Sequence, residues 1–158
     1  AIIGMLMVII FITFYYLAAG LIANFALFFN VVILLAILSY FHATLTLPGI
    51  AGIILTIGMA VDANVLIYER VKEELKLGKS AFAAIKAGYE KAFWSIFDSN
   101  ITTLLTAVVL FYFGTGPIKG FATTLIIGLT ASLFTALFVT RVIFDILFSK
   151  FKIKKIYI

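Results

Sequence analysis

The sequence predicts an all-α integral membrane protein with one domain, residues 1–158, and two observations support this prediction. Hydrophobic residues make up 65% of the chain and charged residues 12%, against about 45–50% and about 25% in soluble domains. The apolar residues also group into runs near 20 residues, the helix length that crosses about 30 Å of hydrocarbon. A water-soluble fold of this size could not bury that apolar surplus.

Five transmembrane helices are predicted, separated by turn-forming residues or by charge. "AAGLIAN" and "HATLTLPG" follow the first two, and Pro48 stands where a first helical turn tolerates the missing amide. "GTGPIKG" separates the last two. The predicted helices lie at about 2–20, 24–41, 49–69, 93–113 and 120–146.

Lysines and arginines predict the orientation of these helices. They concentrate in the connection at 70–92 and the tail at 147–158, whereas the opposite side has only Lys119. By the positive-inside rule the connection and the tail are cytoplasmic, and residue 1 is on the outer side. The opening "AIIGMLMVII" lacks an initiator methionine and a basic n-region, so we expect an excised or processed piece of a longer protein.

The cytoplasmic connection is predicted to contain an interfacial helix. In "SAFAAIKAGYEKAFW", the residues Phe82, Ile85, Tyr89 and Phe93 share one helical stripe, and Trp94 stands at a suitable depth for the membrane interface. A solvated basic loop is the alternative. It explains the lysines but not the aromatic stripe.

Composition also excludes several kinds of chemistry. The chain has no cysteine, which excludes disulfides and thiol chemistry. Its only histidine, His42, lies beside an outer turn where the ring can simply be hydrated. We therefore expect no metal site and no cofactor.

Asp62 is the residue that composition does not explain. It lies seven residues before Glu69, near the cytoplasmic end of helix three, and so about 10 Å inside the membrane. An ionised carboxylate near the centre of a lone helix costs about 2.5–3.5 kcal/mol on insertion scales. A carboxylate at this depth is therefore predicted to have a function.

Helix four carries a second set of polar residues in "DSNITTLLTA". Asp98, Thr102 and Thr106 share one helical face, and Asn100 and Thr103 lie on another. Such faces require protein or a water-filled crevice rather than lipid. Because helices three and four are antiparallel, the two aspartates are predicted to occupy one layer.

Helix three also carries small residues at four-residue spacing, Gly52, Thr56, Ala60 and Asn64. A ladder of this kind lets another helix approach closely. The neighbouring face carries Gly58 beside the acid. Helix three is thus predicted to pack closely next to an acidic site.

Structural interpretations remain open for most of these residues. Thr56, Asn64 and the threonines of helix four can form hydrogen bonds between helices. Asp98 can cap amides or meet interfacial water. Near the inner end of helix five, Arg141 and Asp145 can extend to the interface or pair across one turn.

Two membrane aspartates permit two kinds of chemistry. A carboxyl balanced between burial and nearby donors can load and release a proton, as a device driven by the proton motive force requires. An intramembrane aspartyl protease also needs two such carboxyls. However, Asp62 follows "GMAV", Asp98 follows "SIF", and the Pro-Ala-Leu string of presenilin-like proteases is absent.

Two long strings resemble a known family. The first is "GMAVDANVLIYERVKEEL" and the second is "AIKAGYEKAFWSIFDSNITTLLTAVVLFYFGTGPIKGFATTLIIG". Both resemble the membrane half of proteins of the SecD family. Members of that family are subunits of the bacterial protein-export machinery and belong to the resistance-nodulation-division (RND) superfamily. The sister family SecF shares the architecture but usually has a different acidic string there.

The resemblance implies a six-helix half-bundle in the bacterial inner membrane, with a large extracytoplasmic domain after its first helix. This chain would supply the second to sixth helices, without that domain. The implied partners are a SecF-like sister subunit, the Sec translocon channel, exported unfolded polypeptides and membrane lipids, with no nucleic acid. The implied function is ion-driven assistance to late-stage protein export, without enzymatic activity.

Carried over by position, Asp62 matches the family's acid and would be the proton carrier. Asp98, Ser99, Asn100 and Thr102 match the next helix's polar string and would line the same path, while the sister subunit would supply a further acid and a basic residue. Proton and sodium coupling both remain open. The supporting polar and packing residues are Asn64, Ser99, Thr103, Thr106, Gly52, Thr56 and Gly58.

Two other functions are compatible with the same residues. One is a half-transporter of the same superfamily that exports small apolar molecules. The other is a purely structural helix bundle that partners another subunit.

Overall fold

A computed structural model describes residues 2–42 and 46–151, and these residues form helices and short turns without a strand. The prediction of an all-α fold is confirmed. The elements are α1 (Ile2–Tyr40), α2 (Leu47–Lys76), α3 (Ala81–Phe113), α4 (Gly116–Phe134), a π-helical turn (Thr135–Val139) and α5 (Thr140–Phe151). Within the described part of the chain, four helical stretches are long and apolar enough to cross a membrane, rather than the five predicted.

The count differs because predicted helices one and two lie within α1, which reverses direction at Leu17. That residue has a non-helical backbone with φ 45°. The amide of Asn24 donates to the hydroxyl of Thr13 at 2.7 Å, although the two are eleven residues apart. A straight helix would separate them by about 16 Å. Residues 2–16 and 18–40 therefore form two antiparallel arms, about 22 and 34 Å long.

The predicted break between the two arms, at residues 21–23, is wrong. The reversal lies earlier, and the turn formers of "AAGLIAN" serve packing instead. A Cβ atom on Gly20 would lie 2.3 Å from the carbonyl oxygen of Ile12 on the opposite arm. Glycine is required there because the two backbones approach this closely.

Helices α2 and α3 extend beyond the predicted spans. The hydroxyl of Thr46 accepts from the amide of Gly49 at 3.1 Å and caps the start of α2. Gly78, with φ 83°, follows its end. At about 45 and 50 Å, both helices exceed the hydrocarbon thickness and project together on one side.

The predicted separate interfacial helix is not present, because α3 runs unbroken from Ala81 to Phe113. Of the predicted stripe, Ile85 and Tyr89 are buried in the helix bundle. Both belong to the same core cluster as Tyr68 of α2. Helix packing, rather than a lipid interface, accounts for their apolar character.

Helices α2 and α3 approach each other closely at Gly88. A Cβ atom there would lie 2.9 Å from the backbone nitrogen of Val71 and 2.5 Å from its Cγ2 atom. Alanines one turn to either side, Ala84 and Ala92, are fully buried. This small-residue seam sets the antiparallel register of the hairpin.

Charge also stabilises the end of this hairpin. Glu74 is 1% exposed, and its carboxylate pairs with Lys79 from the turn and with Lys91 from α3, the latter at 2.5 Å. A buried carboxylate needs such partners, because an unpaired charge away from water is costly. Residues 152–158, which include the predicted tail lysines Lys152, Lys154 and Lys155, lie outside the described residues.

Helix α4 packs against a different face of α2 through interlocking small residues. A Cβ atom on Gly52 would lie 2.3 Å from the Thr124 hydroxyl oxygen, and one on Gly128 would lie 2.6 Å from Cγ2 of Thr56. The threonine of each helix thus faces a glycine of the other. Helices α3 and α4 both pack against α2, and they also contact each other.

The predicted fifth helix, 120–146, is interrupted by the π-helical turn. The amide of Asn30 donates to Thr135 at 3.2 Å, at the start of that turn. The hydroxyls of Tyr89 and Thr140 form a hydrogen bond just after it. Both contacts are buried, so α1 and α3 hold the place where the helical winding changes.

The Gly88 contact generates a stability prediction. Replacing Gly88 by alanine should destabilise the protein by about 1–3 kcal/mol, because the backbone of Val71 must move. Unfolding of the purified full-length protein in detergent would measure this. Gly58→Ala is the matched control, since a Cβ atom there meets nothing within 4 Å. Equal stability of the two variants would contradict the close contact.

Candidate functional site

Asp62 lies on the face of α2 that neither α3 nor α4 covers. Its side chain is exposed, and its carboxylate makes no hydrogen bond or ion pair with any residue that the structure describes. One turn away, Gly58 is also exposed. The acid is therefore directed out of this chain rather than into its core.

Asp98 likewise lies on an outward face, on α3, and its carboxylate has no partner among the described residues. The hydroxyl of Thr102 donates to the Asp98 carbonyl at 2.9 Å, and that of Thr106 to the Thr102 carbonyl at 3.1 Å. Ser99 and Thr103 also donate to carbonyls of their own helix. Because these hydroxyls already donate to the backbone of α3, they have no hydrogen-bond donor left for another group.

The hairpin register brings the two aspartates to a similar depth. Counted from the Val71–Gly88 contact, Asp62 is nine residues away along α2 and Asp98 ten residues away along α3. These separations correspond to about 13 and 15 Å in the same direction. The two carboxylates form no hydrogen bond with each other within the described structure.

Two asparagines lie inside the bundle near this layer. The amide of Asn64 donates to the carbonyl of Ala60 at 3.1 Å, and that of Asn100 to the carbonyl of Ile96 at 2.7 Å. The Oδ1 atom of each is buried and has no partner in the described structure. Buried acceptors in this condition can accept from water or from another hydrogen-bond donor.

Gly52 and Thr56 do not belong to the same surface as the two aspartates. Thr56 is fully buried and donates to the carbonyl of Ile53 at 2.9 Å. Gly52 faces Thr124 of α4. These two residues hold α2 against α4, while Asp62 lies on a different face of the same helix.

A polar cluster that the sequence analysis did not identify lies beyond Asp62, toward the C-terminal end of α2. Glu69 accepts from the hydroxyl of Tyr16 at 2.8 Å and pairs with Lys72 at 3.4 Å. The Lys72 ammonium also lies 4.2 Å from the ring centre of Tyr15. In the sequence, the seven-residue spacing from Asp62 to Glu69 indicates that both acids lie on one face of the helix. The contact with the tyrosines cannot be read from the sequence, because it forms only when the α1 hairpin folds against α2.

Fold and site together define a polytopic α-helical membrane domain that carries unpaired acidic groups on an outward face. Comparison with known proteins specifies this class further. The chain belongs to the family of SecD/SecF protein export membrane proteins, whose C-terminal part matches residues 1–150.

Curated relatives and solved structures agree with this assignment. The chain is 60% identical to protein translocase subunit SecD of Desulfurispirillum indicum over 154 residues, 98% of this chain and 30% of the relative. It is 61% identical to SecD of Magnetococcus marinus over 141 residues, 89% of this chain and 27% of the relative. The chain thus spans less than a third of these relatives' length.

Among solved structures, the chain resembles the crystal structure of SecDF, a translocon-associated membrane protein, from Thermus thermophilus. The TM-score is 0.91 and the identity 44%, over 97% of this chain and 21% of that one. The resemblance to the SecD family is confirmed. Both of these curated relatives are named as protein translocase subunits.

The depth of Asp62 generates a second prediction. In a translocon insertion assay on the α2 segment, Asp62→Leu should favour insertion by about 3 kcal/mol, because an acid near the helix centre is costly. Glycosylation mapping would measure the inserted fraction.

Glu73→Leu is the control for this assay. Glu73 is exposed near the end of α2 and pairs with Arg70, so its replacement should change the insertion free energy by less than about 1 kcal/mol. Equal effects of the two substitutions would mean that Asp62 lies near the interface.

Proposed function

We propose that residues 1–158 form one membrane domain of an accessory subunit of the bacterial Sec protein translocase. This domain couples the flow of protons, or of sodium ions, to the late stage of polypeptide export. The observation that carries the proposal is Asp62, an acid without a partner on an open face of α2, in a chain that is 60% identical to SecD of another bacterium. Carboxylates inside membrane segments most often serve ion or proton transfer.

The proposed topology has five crossings in the inner membrane, with residue 1 outside and the C-terminus in the cytoplasm. The reversal at Leu17 supports it, because the two arms of α1 then run in opposite directions. Tyr16 beside Glu69 belongs to the cytoplasmic end. Thr46, whose hydroxyl donates to the Pro117 carbonyl at 3.4 Å, belongs to the outer end. Lysines concentrated at the former end agree with the positive-inside rule.

In this function, Asp62 carries the ion, and Asp98, Asn100 and Thr102 line its path. A SecF-like sister subunit covers the open face and supplies a further acid and a basic residue. Physical support comes from the open face itself, since an ionised Asp62 facing lipid would be disfavoured by about 2.5–3.5 kcal/mol. A partner surface that brings water or a cation removes this penalty.

Protonation can be converted into movement because the acid lies on a helix that is packed on two sides. Neutralising Asp62 changes the affinity of its face for a charged partner, whereas the seams through Gly52 and Gly88 transmit any displacement of α2 to α4 and α3. Packed interfaces respond to such changes by discrete shifts. The exported polypeptide and the translocon channel are the proposed recipients of that movement.

The alternatives from the sequence analysis have weaker support. An aspartyl protease needs two carboxyls that share a proton, whereas Asp62 and Asp98 form no hydrogen bond with each other in the described structure. Export of small apolar molecules has no counterpart in the names of the relatives. A purely structural role leaves an unpaired membrane carboxylate unexplained.

The proposal predicts that Asp62→Asn in the full-length protein abolishes the stimulation of export by the proton motive force. The amide has the shape of the carboxyl but cannot carry a proton. Translocation of a secretory precursor into membrane vesicles, with and without the proton gradient, would measure the effect.

Glu73→Gln is the matched control, because it neutralises an exposed acid on the same helix. Co-purification with the sister subunit would show that assembly is intact. If the Asp62→Asn protein assembles and still responds to the gradient, Asp62 is not the ion carrier.

A further inference from the structure

A groove runs along the cytoplasmic end of the bundle between α3 and the helical run that contains the π-helical turn and α5. It consists of two cavities, of about 330 Å³ and about 240 Å³, which share Tyr89 and Arg141. No segment of the described structure fills either of them. Because the lining residues are shared, the two cavities adjoin.

The two ends of the groove differ in polarity. One end is lined by aromatic and aliphatic side chains, Phe93, Trp94, Leu137 and Phe138. The other end contains Lys86 and Asp145 beside Phe82 and Ile85, so it is mixed in polarity. Arg141 lies where the apolar end meets the polar end, and Glu90 lines the apolar cavity beside it.

This change of polarity occurs at the depth where a membrane changes from hydrocarbon to headgroups. Counted from Phe113 at the opposite end of α3, Trp94 lies about 28 Å along the helix and Lys86 about 40 Å. The hydrocarbon core is about 30 Å thick, with headgroups beyond it. The apolar end therefore lies at the edge of the hydrocarbon, and the charged end lies farther out, on the headgroup side.

Arg141 is available to a ligand. Its guanidinium forms no ion pair or hydrogen bond within the described structure, and the expected pairing with Asp145 across one helical turn does not occur. The chain's other arginine, Arg70, bonds to Glu73 at 2.8 Å. An unpaired guanidinium suits a phosphate group, which it can bind in a bidentate manner.

The charged end is not simply basic, and this selects among phospholipids. Lys86 and Arg141 provide two positive charges, and Glu90 and Asp145 provide two negative charges. A purely anionic headgroup would satisfy the cations and be repelled by the acids. A headgroup with both a phosphate and a primary ammonium complements both signs.

We propose that this groove is a binding site for a zwitterionic phospholipid with a primary amine, of the phosphatidylethanolamine class. Arg141 binds the phosphate, Glu90 and Asp145 accept hydrogen bonds from the ammonium, and the acyl chains lie against Phe93 and Phe138. Trp94 adds the amphipathic ring that is typical of the membrane interface. Since Leu137 and Phe138 belong to the π-helical turn, the bound lipid contacts the place where the last helix changes its winding.

The test is native mass spectrometry of the full-length protein with its sister subunit, supplied with phosphatidylethanolamine and phosphatidylglycerol in equal amounts. We expect the wild type to retain more phosphatidylethanolamine. Arg141→Gln should lower that lipid's occupancy roughly tenfold, the loss expected for one hydrogen bond to a charged group. Arg70→Gln, the matched control, should retain it at the wild-type level.

A second variant tests the ammonium contact in a protein whose fold is not at risk. Glu90 is exposed, and Glu90→Gln keeps its shape while removing the charge. We expect this variant to lose part of the preference for phosphatidylethanolamine over phosphatidylglycerol. Unchanged occupancy in Arg141→Gln, or equal retention of the two lipids by the wild type, would overturn the proposal.

Discussion

The close approach of α2 to two neighbours is the constraint on which the rest of the structure depends. Gly88 brings the backbone of α3 against Val71, and Gly52 and Gly128 bring α4 against α2 on another side. Lipid provides little hydrophobic drive for helix association, so contacts of this kind supply much of the stability through van der Waals packing. They also decide which face of α2 is left uncovered. That face carries Asp62, so the geometry of the seams determines where the chain presents its acid.

The polar side chains of the bundle fall into two classes. Some form their hydrogen bonds within their own helix, and others need a partner from outside it. The hydroxyls of Thr102, Thr103 and Thr106 donate to carbonyls four residues earlier, so they need nothing from outside. A carboxylate has no donor and cannot be satisfied in this way. Asp62 and Asp98 consequently remain without partners in the described structure. Under the proposed function, an ion or another subunit supplies the contacts that the helix backbone cannot.

The end of the bundle where α2 and α3 project is organised differently, because charged side chains concentrate there. Glu74 is buried but paired with two lysines, and Glu69 is held by a tyrosine and a lysine. These contacts rigidify the projecting end of the α2–α3 hairpin. Tyr89 then links α3 to Thr140, at the end of the π-helical turn. A phospholipid beside that turn and an ion at Asp62 would thus act on elements of one connected helical framework.

The sequence by itself determined the all-α membrane fold, the family and the unusual status of Asp62, because hydropathy, long polar strings and a lone carboxylate are properties of the chain read locally. It did not determine the reversal at Leu17, since the nearby Gly20 and Asn24 resemble turn formers and become packing residues only when the arms of α1 meet. The aromatic stripe of α3 was likewise consistent with a membrane surface until α2 buried Ile85 and Tyr89. Only the tertiary structure decided that Asp62 and Asp98 point outward while Asn64 and Asn100 point inward. Periodicity shows which residues share a face, but whether a face is covered depends on neighbours brought from distant parts of the chain.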